Sequence, residues 1–316
     1  MSTGFKPWVS GDIFIAVTDL NNPADDHAGI GHIRQYGADL ALKADVSLTQ
    51  TSHLVGGLKF DRHGVLWAFD SHDHVVLNLH RDGRVLVRDF PPRAFSHANF
   101  AADGSLYLGE HLVGDSIKPE IQARMKTCIS KVPGSELFGD GHVFKFDATG
   151  KLQKEYATQT QGGMGGFLGV TMSALSPDGK RLVYCSETGP RLMQYDLAND
   201  RQLPDIQNIQ PPFPPGPPPM FFGMDYGPDG ALYVLRGGSI HVVDEKSGAT
   251  TRQIPLEGFG WAVLDLARDG SYAFVASFFT GEVAKVDLAT GQKLGSIQTG
   301  AVKALAGVVE YQGEQG

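Results

Sequence analysis

The sequence predicts an all-β fold, a six-bladed β-propeller with four antiparallel strands per blade, formed as a single domain by residues 1–316. One observation is a recurring phrase: an apolar strand, a turn with Asp and Gly, and a second apolar strand. It occurs as LKFDRHGVLWAFD, ANFAADGSLYLGE, SALSPDGKRLVYCSE, MDYGPDGALYVLR and LDLARDGSYAFVAS. The turn glycines Gly64, Gly104, Gly179, Gly230 and Gly270 stand 40, 75, 51 and 40 residues apart. A unit of about 40 residues with insertions fits the four short strands of a propeller blade.

A second phrase completes the blades, an outer strand that closes on an apolar residue and Asp before a polar turn. It occurs as VFKFDATG, LMQYDLAND, IHVVDEKSG and VAKVDLATG. Each blade is therefore predicted to contain, in chain order, strand a, a tight turn, strand b, a loop, strand c, a tight turn and strand d. The two patterns together predict five complete blades.

The chain ends supply the sixth blade. The C-terminal VKALAGVVEY is expected to be its inner strand, and the N-terminal GDIFIAVTD, HIRQYG and LALKADVSL its three partners. This join ties the two ends together and removes the free sheet edge that an open propeller would carry. A seventh blade would need about 40 more residues, the length of one repeat.

Composition and charge exclude several classes of function. The net charge is −8 and the pI about 5.7, which does not suit a nucleic-acid partner. We do not expect the N-terminal MSTGFKPWVSGDIF to be a signal peptide, because it lacks a basic region followed by an apolar run, and no apolar run reaches the roughly 20 residues of a membrane helix. Two cysteines, Cys128 and Cys185, are too few for a disulfide framework. We expect a reduced, cytoplasmic protein without a membrane partner; the sequence gives no prediction of oligomeric state.

Four long connections fall on one face of the predicted propeller, where strand a begins and strand b ends. They are Leu20–Gly31, His111–Asp140, Thr158–Leu168 and Gln210–Met220. The insertion 111–140 contains an amphipathic pattern that predicts a small helix, either a lid over the propeller mouth or an insertion packed on its rim. The segment 210–220 is proline-dense and is expected to be a stiff loop on the same face, or else a ligand for a polyproline-binding module. Because function in rigid scaffolds concentrates on such loops, we expect the site on this face.

Aromatic residues near the heads of inner strands suggest the walls of a substrate pocket at this face. The alternative is that they fill space between blades. The candidate substrate-binding residues are Phe221, Phe222, Trp261, Phe278 and Phe279.

Acidic and basic groups converge at the same level of the predicted propeller. The ends of strand b provide Asp19, Asp70, Glu110, Glu187 and Arg236, and strand a begins near His53 and His97. We expect Asp19, Asp70, Glu110 and Glu187 to hold one divalent cation such as Ca²⁺, with His53, His97, Glu110, Glu187 and Arg236 as catalytic groups. The alternative is a hydrated polar rim without an ion.

Four further polar residues on the inner strands suggest a structural role rather than a catalytic one. Lys59, Asn99, Asp225 and Asp265 take matching inner-strand positions where apolar residues are expected, so they could form a salt-bridge network along the channel. In the stretch FDSHDHVVL, alignment of the blades places His72 and Asp73 at a turn tip and leaves Asp70 as the candidate site residue.

The run LSPDGKRLVYCSETGPRLMQYDL resembles gluconolactonase- and regucalcin-like propellers, and more loosely streptogramin lyase and NHL-repeat propellers. The resemblance implies six blades and, for the gluconolactonase-like enzymes, a divalent cation bound by acidic and Asn side chains at the heads of inner strands. Here the heads are Gly56, Ser96, Thr171, Phe222 and Ala262, so that ligand set does not transfer.

The sequence thus supports two hypotheses about function. The first is an enzyme acting on a small, partly apolar or aromatic molecule at the propeller axis, by lactonase-like hydrolysis or by lyase or isomerase chemistry. The second is a non-catalytic scaffold that binds a peptide or protein through the same loops. Because no G-x-S-x-G, phosphate-loop, H-E-x-x-H or CxxC motif occurs, no nucleotide or organic cofactor is expected.

Overall fold

The described part of the computed structural model has 25 β-strands arranged as six four-stranded antiparallel sheets in a ring, with one short extra strand in the fourth sheet along the chain. The structure describes residues 4–23, 25–53, 55–111, 141–159, 169–186, 189–210 and 220–313, without the side chains of residues 25–28. Within these ranges no helix is long and apolar enough to cross a membrane. The predicted helix in 111–140 and the core of the proline-dense loop at 211–219 lie outside the described residues.

Blade 1 joins the two chain ends, as the sequence predicts. Its order is β25 (Leu305–Tyr311), β1 (Asp12–Asn22), β2 (Asp25–Tyr36) and β3 (Leu42–Leu48). The pairing of β1 with β25 runs from Asp12 opposite Tyr311 to Val17 opposite Leu305. The expected long loop Leu20–Gly31 is instead mostly strand, because the ladder of β1 and β2 continues to the pair of Asn22 and Asp25.

The other five blades follow in chain order. Blade 2 consists of β4 (Gly56–Phe60), β5 (Leu66–Asp70), β6 (Val75–Leu79) and β7 (Val85–Val87), and blade 3 of β8 (Phe95–Phe100), β9 (Leu106–Glu110), β10 (Val143–Phe146) and β11 (Leu152–Tyr156). Blade 4 consists of β12 (Met172–Leu175), β13 (Arg181–Cys185), β14 (Arg191–Asp196) and β15 (Arg201–Gln202), with β16 (Gln207–Asn208) also paired to β14. Blade 5 consists of β17 (Phe221–Tyr226), β18 (Leu232–Arg236), β19 (Ser239–Val243) and β20 (Thr250–Pro255), and blade 6 of β21 (Trp261–Leu266), β22 (Tyr272–Ser277), β23 (Glu282–Asp287) and β24 (Lys293–Gln298).

The ring is closed by contacts between successive inner strands. β25 contacts β4, and the series continues through β8, β12, β17 and β21 back to β25. The five turn glycines of the repeated phrase all have positive φ, between 68° at Gly179 and 84° at Gly104. Since this backbone conformation favours glycine, the phrase predicts the turn between strands a and b in each blade.

The hydrophobic core is divided among the blade interfaces. The buried apolar residues of the described chain form six clusters, and each cluster joins one pair of neighbouring blades. Successive residues of β1 alternate between two of them, with Phe14 packed toward blade 2 and Ile13 and Ile15 toward blade 6. Both faces of a strand such as β1 are therefore buried, which explains its apolar run Ile13–Val17, whereas outer strands such as β11 and β24 are largely exposed.

Candidate functional site

The first candidate region is a set of charged side chains on the central axis, which we name the channel floor: Lys59, Asp225 and Asp265. Each occupies the position before the last residue of its inner strand, at the end of the ring nearer the a–b turns. Lys59 Nζ lies 2.5 Å from Asp225 Oδ2. Blades 2 and 5 are opposite each other in a ring of six, so this ion pair spans the axis. The Lys59 and Asp225 side chains keep 34% and 27% of their surface exposed.

Asp265 is the most perturbed acid of the channel floor. It is buried, and its Oδ2 accepts a hydrogen bond of 2.8 Å from the backbone N–H of Glu310. Burial raises the pKa of Asp265 to about 7, although Lys59 and the Glu310 amide oppose that rise. Burial alone would lower the pKa of Lys59, but Asp225 and Asp265 outweigh it and raise that pKa. A carboxyl group that titrates near neutrality beside a fixed cation is a candidate general acid or base.

A second region lies between blades 3 and 4, and we name it the interblade relay: Asn99, Ser173, His97 and Ser96. Asn99 Nδ2 donates to Ser173 Oγ at 2.7 Å, and Ser173 Oγ lies 2.5 Å from His97 Nε2. His97 Nδ1 lies 2.8 Å from Ser96 Oγ, which lies within hydrogen-bond distance of backbone carbonyl oxygens. Burial, with His111 and Lys59 nearby, lowers the pKa of His97 to about 3. His97 is therefore neutral at pH 7, with both ring nitrogens in hydrogen bonds, and suits a positioning role better than that of a base.

The third region, the histidine cluster, consists of His53, Asp70 and His72. His53 lies in the connection from blade 1 to blade 2, Asp70 ends β5, and His72 lies in the turn to β6. The two imidazole rings stack with their centroids 3.7 Å apart and their planes 23° from parallel. One ligand atom of each residue lies within 4.8 Å of the other two, and all three residues are buried. The cluster combines His53 and Asp70 of the predicted site with His72, which the sequence placed at a turn tip.

The remaining acidic candidates have other partners. Glu110 is fully buried; its Oε1 lies 3.1 Å from Arg93 Nη1, and its Oε2 accepts the Gly141 amide at 2.9 Å. Asp19 keeps 65% of its side chain exposed and lies 3.2 Å from His32 Nε2 on blade 1. The structure does not bring Asp19 or Glu110 into the histidine cluster, and Glu187 lies outside the described residues.

The predicted catalytic arginine lies between blades 4 and 5. Arg236 Nη1 donates to Gln207 Oε1 at 3.0 Å, and its guanidinium lies over the Phe221 ring, 6.0 Å from the centroid. Partial burial lowers the pKa of Arg236. The structure records no hydrogen bond or ion pair that connects it to His53 or His97 within the described chain.

The five aromatic candidates divide into buried and exposed residues. Phe221 and Trp261 are core residues, between blades 4 and 5 and between blades 5 and 6. Phe222 is partly buried against the second of these clusters. Phe279 is 47% exposed and stacks with Phe259, which is 58% exposed, while Phe278 meets Phe279 edge to face. We name Phe259, Phe278 and Phe279 the aromatic patch.

Sequence reasoning missed several members of these regions. Ser173 and Arg93 act through partners in other strands or turns, so no local motif identifies them. The signal for His72 was the density of histidine and aspartate in SHDH, but blade alignment cannot report whether a turn is buried.

Comparison with known proteins agrees with the fold. A chain in the crystal structure of a nidogen/laminin complex superposes with a TM-score of 0.60 at 11% sequence identity, covering 95% of this chain and 98% of that one. Virginiamycin B lyase from Staphylococcus aureus superposes with a TM-score of 0.52, also at 11% identity, covering 90% and 88% of the two chains. At this level of identity the two likenesses show that the chain has a β-propeller fold. No protein-family model matches the sequence, and no curated protein matches it significantly.

Proposed function

We propose that the protein is an enzyme that moves a proton on a small molecule bound in the central channel, in an elimination or isomerisation reaction. The observation behind this proposal is the channel floor, where the buried carboxyl group of Asp265 lies near the ion pair of Lys59 and Asp225. Structural ion pairs also perturb pKa values, but this pair lies on the ring axis and keeps about a third of its surface exposed, as a group that meets a ligand must. A small molecule entering from the loop face would meet these groups at the end of the channel.

Each residue of the channel floor has a distinct role in this proposal. Lys59 binds an electronegative oxygen of the substrate, such as a carboxylate or carbonyl oxygen. The Asp265 carboxylate takes a proton from the carbon next to that group. In an elimination, the electron pair of the broken C–H bond forms a C=C bond, and the leaving group departs with the electrons of its own bond. In an isomerisation, the proton returns to a different carbon. Asp225 keeps Lys59 charged.

The similarity to virginiamycin B lyase agrees with elimination but, at 11% identity, supports only the fold. Lactonase-like hydrolysis, which the resemblance of the LSPDGKRLVYCSETGPRLMQYDL run implies, is the competing chemistry. It needs an activated water, whereas elimination needs only a proton acceptor and a leaving group. The two reactions give different products: hydrolysis of an ester or lactone adds water and gives an acid group and an alcohol, whereas elimination adds no water and gives an acid group and a C=C bond, both in one molecule when the substrate is a lactone.

The test is a panel of small esters, lactones and β-substituted carboxylic acids, with virginiamycin B included. Ultraviolet absorbance detects a new conjugated C=C bond, and mass spectrometry detects addition of water. We expect kcat to rise with pH through about 7, where Asp265 loses its proton. Asp265→Asn should lower kcat by at least about 100-fold, the lower end of the usual contribution of a general base.

Glu257→Gln is the matched control, because 85% of the Glu257 side chain is exposed on the surface. This variant should keep the wild-type rate. Full turnover by a folded Asp265→Asn variant would refute the role of Asp265. Hydrolysis alone, without any unsaturated product, would refute the reaction class.

A second candidate function is a binding scaffold, and the aromatic patch favours it. Phe259 and Phe279 expose about half of their surface each and stack with their centroids 6.2 Å apart. Exposed aromatic clusters are common at protein–protein contacts. Phe279→Ser should abolish partner binding and leave turnover unchanged if the patch is a docking surface. If the same substitution lowers turnover, the patch belongs to the substrate site instead.

A further inference from the structure

We propose that His53 and His72 form a binding site for one divalent transition-metal ion, with Asp70 as the residue that positions them. This site is separate from the channel floor and does not depend on the proton-transfer chemistry proposed above. It also differs from the oxygen-ligand cation site that the sequence predicts, since its donors are imidazole nitrogens.

The first support is the convergence of donors from separate segments. His53 and His72 are 19 residues apart in sequence, yet their rings are in contact. They are 3% and 5% exposed, and Asp70 is fully buried. The ring nitrogens of two histidines thereby come together at one buried place, from two segments that are separate in sequence.

Asp70 holds together the two segments that carry His53 and His72. Its Oδ2 accepts the backbone N–H groups of Ser52 and His53 at 3.0 and 3.1 Å. Its Oδ1 accepts those of His72 and Asp73, both at 3.1 Å. The carboxylate therefore joins the two segments that carry the histidines. Four accepted bonds occupy the lone pairs of a carboxylate, so Asp70 acts through the imidazoles rather than as a ligand.

The donor type selects the metal. Imidazole nitrogens bind Zn²⁺, Ni²⁺, Cu²⁺ and Co²⁺, whereas Ca²⁺ and Mg²⁺ require oxygen ligands. Bonds of about 2.1 Å to Zn²⁺ place two donor atoms at most about 4.2 Å apart, and the candidate donor atoms of the cluster lie within 4.8 Å of one another. Because the stacked rings are nearly parallel, binding would turn at least one ring and break the stack. Two protein ligands leave coordination positions for water or a substrate oxygen.

The experiment uses tag-free protein dialysed against EDTA and then titrated with ZnCl₂, NiCl₂ or CaCl₂ by isothermal calorimetry. We expect one Zn²⁺ or Ni²⁺ per chain and no Ca²⁺ binding at this site. In protein with ¹³C-labelled histidine, the ring protons of His53 and His72 should shift together as the stack opens.

Two substitutions separate loss of ligation from loss of fold. His53→Phe and His72→Phe keep an aromatic ring in the stack but remove its nitrogens. Each should weaken Zn²⁺ binding by at least about tenfold, while the circular dichroism and melting temperature confirm folding. His63→Ala, on an exposed turn, is the control and should bind as wild type. Failure of wild type to bind either transition metal, or full binding by a folded His53→Phe or His72→Phe variant, would overturn the site.

Discussion

The channel floor and the histidine cluster lie in the same ring of inner strands and connections, but different interactions position them. The channel floor consists of side chains in regular strands, and electrostatic attraction between Lys59 and the two aspartates positions them. The histidine cluster consists of residues in a connection and a turn, and backbone amides on one carboxylate hold it. The floor therefore depends on pH and on the closed ring, whereas the cluster depends mainly on the local conformation of two short segments.

The largest expected effect tests whether both regions need the closed ring. Deletion of residues 302–311 removes β25, which pairs with β1 and supplies the Glu310 amide to Asp265. We expect loss of the cooperative melting transition, since a typical domain has only about 5–15 kcal/mol of stability in total. A native melting temperature in the truncated protein would contradict closure. Zn²⁺ binding that survives the truncation would show that the histidine cluster folds as a local unit.

The next effect concerns the pH dependence of the channel floor. The folded pKa of Asp265, about 7, lies above the usual value of 3.8, so the folded state binds more protons between these values. The free energy of unfolding should therefore fall as pH rises from about 4 to about 7, by up to about 4 kcal/mol, and then level off. Urea denaturation across this range measures it. Asp265→Asn should remove most of the slope, and an unchanged slope would show that other groups cause it.

A smaller effect is expected when the cation of the floor is removed. Lys59→Met leaves the carboxylates of Asp225 and Asp265 without their counterion. We expect a loss of about 2–3 kcal/mol, below the usual cost of breaking a buried pair because a third of the Lys59 side chain is exposed. Lys246→Met, on an exposed turn, should change stability by less than about 0.5 kcal/mol. In the variant Asp225→Asn, Lys59→Met should cost less, and equal costs would show that the two residues are not coupled.

The difference between residues in strands and residues in connections explains how much of the structure the sequence predicted. The repeated phrases predicted the six blades and the closure by β25, and aligning them placed Lys59, Asn99, Asp225 and Asp265 at one level. Strand positions repeat from blade to blade, so alignment locates them. The alignment could not predict which of these residues form ion pairs, because Lys59 and Asp225 belong to blades on opposite sides of the ring.

Residues in connections were harder to place. Alignment treated His72 as a turn tip, because comparable positions in other blades hold residues such as Thr and Gly. Its burial against His53 accompanies the backbone bonds to Asp70, which an alignment of residue types does not reveal. Aromatic residues at strand heads fit both a pocket and a blade interface, and packing between blades accounts for Phe221 and Trp261.

The closure of blade 1 has a consequence for the time course of synthesis. On the ribosome, β1, β2 and β3 emerge before the other strands of the propeller, whereas β25, the inner partner of β1, emerges after them. The inner edge of β1 therefore stays without its partner strand until the other five blades have been made. During that interval the edge can pair with another nascent chain, so aggregation of newly made protein should depend on translation speed more than on the stability of the finished ring.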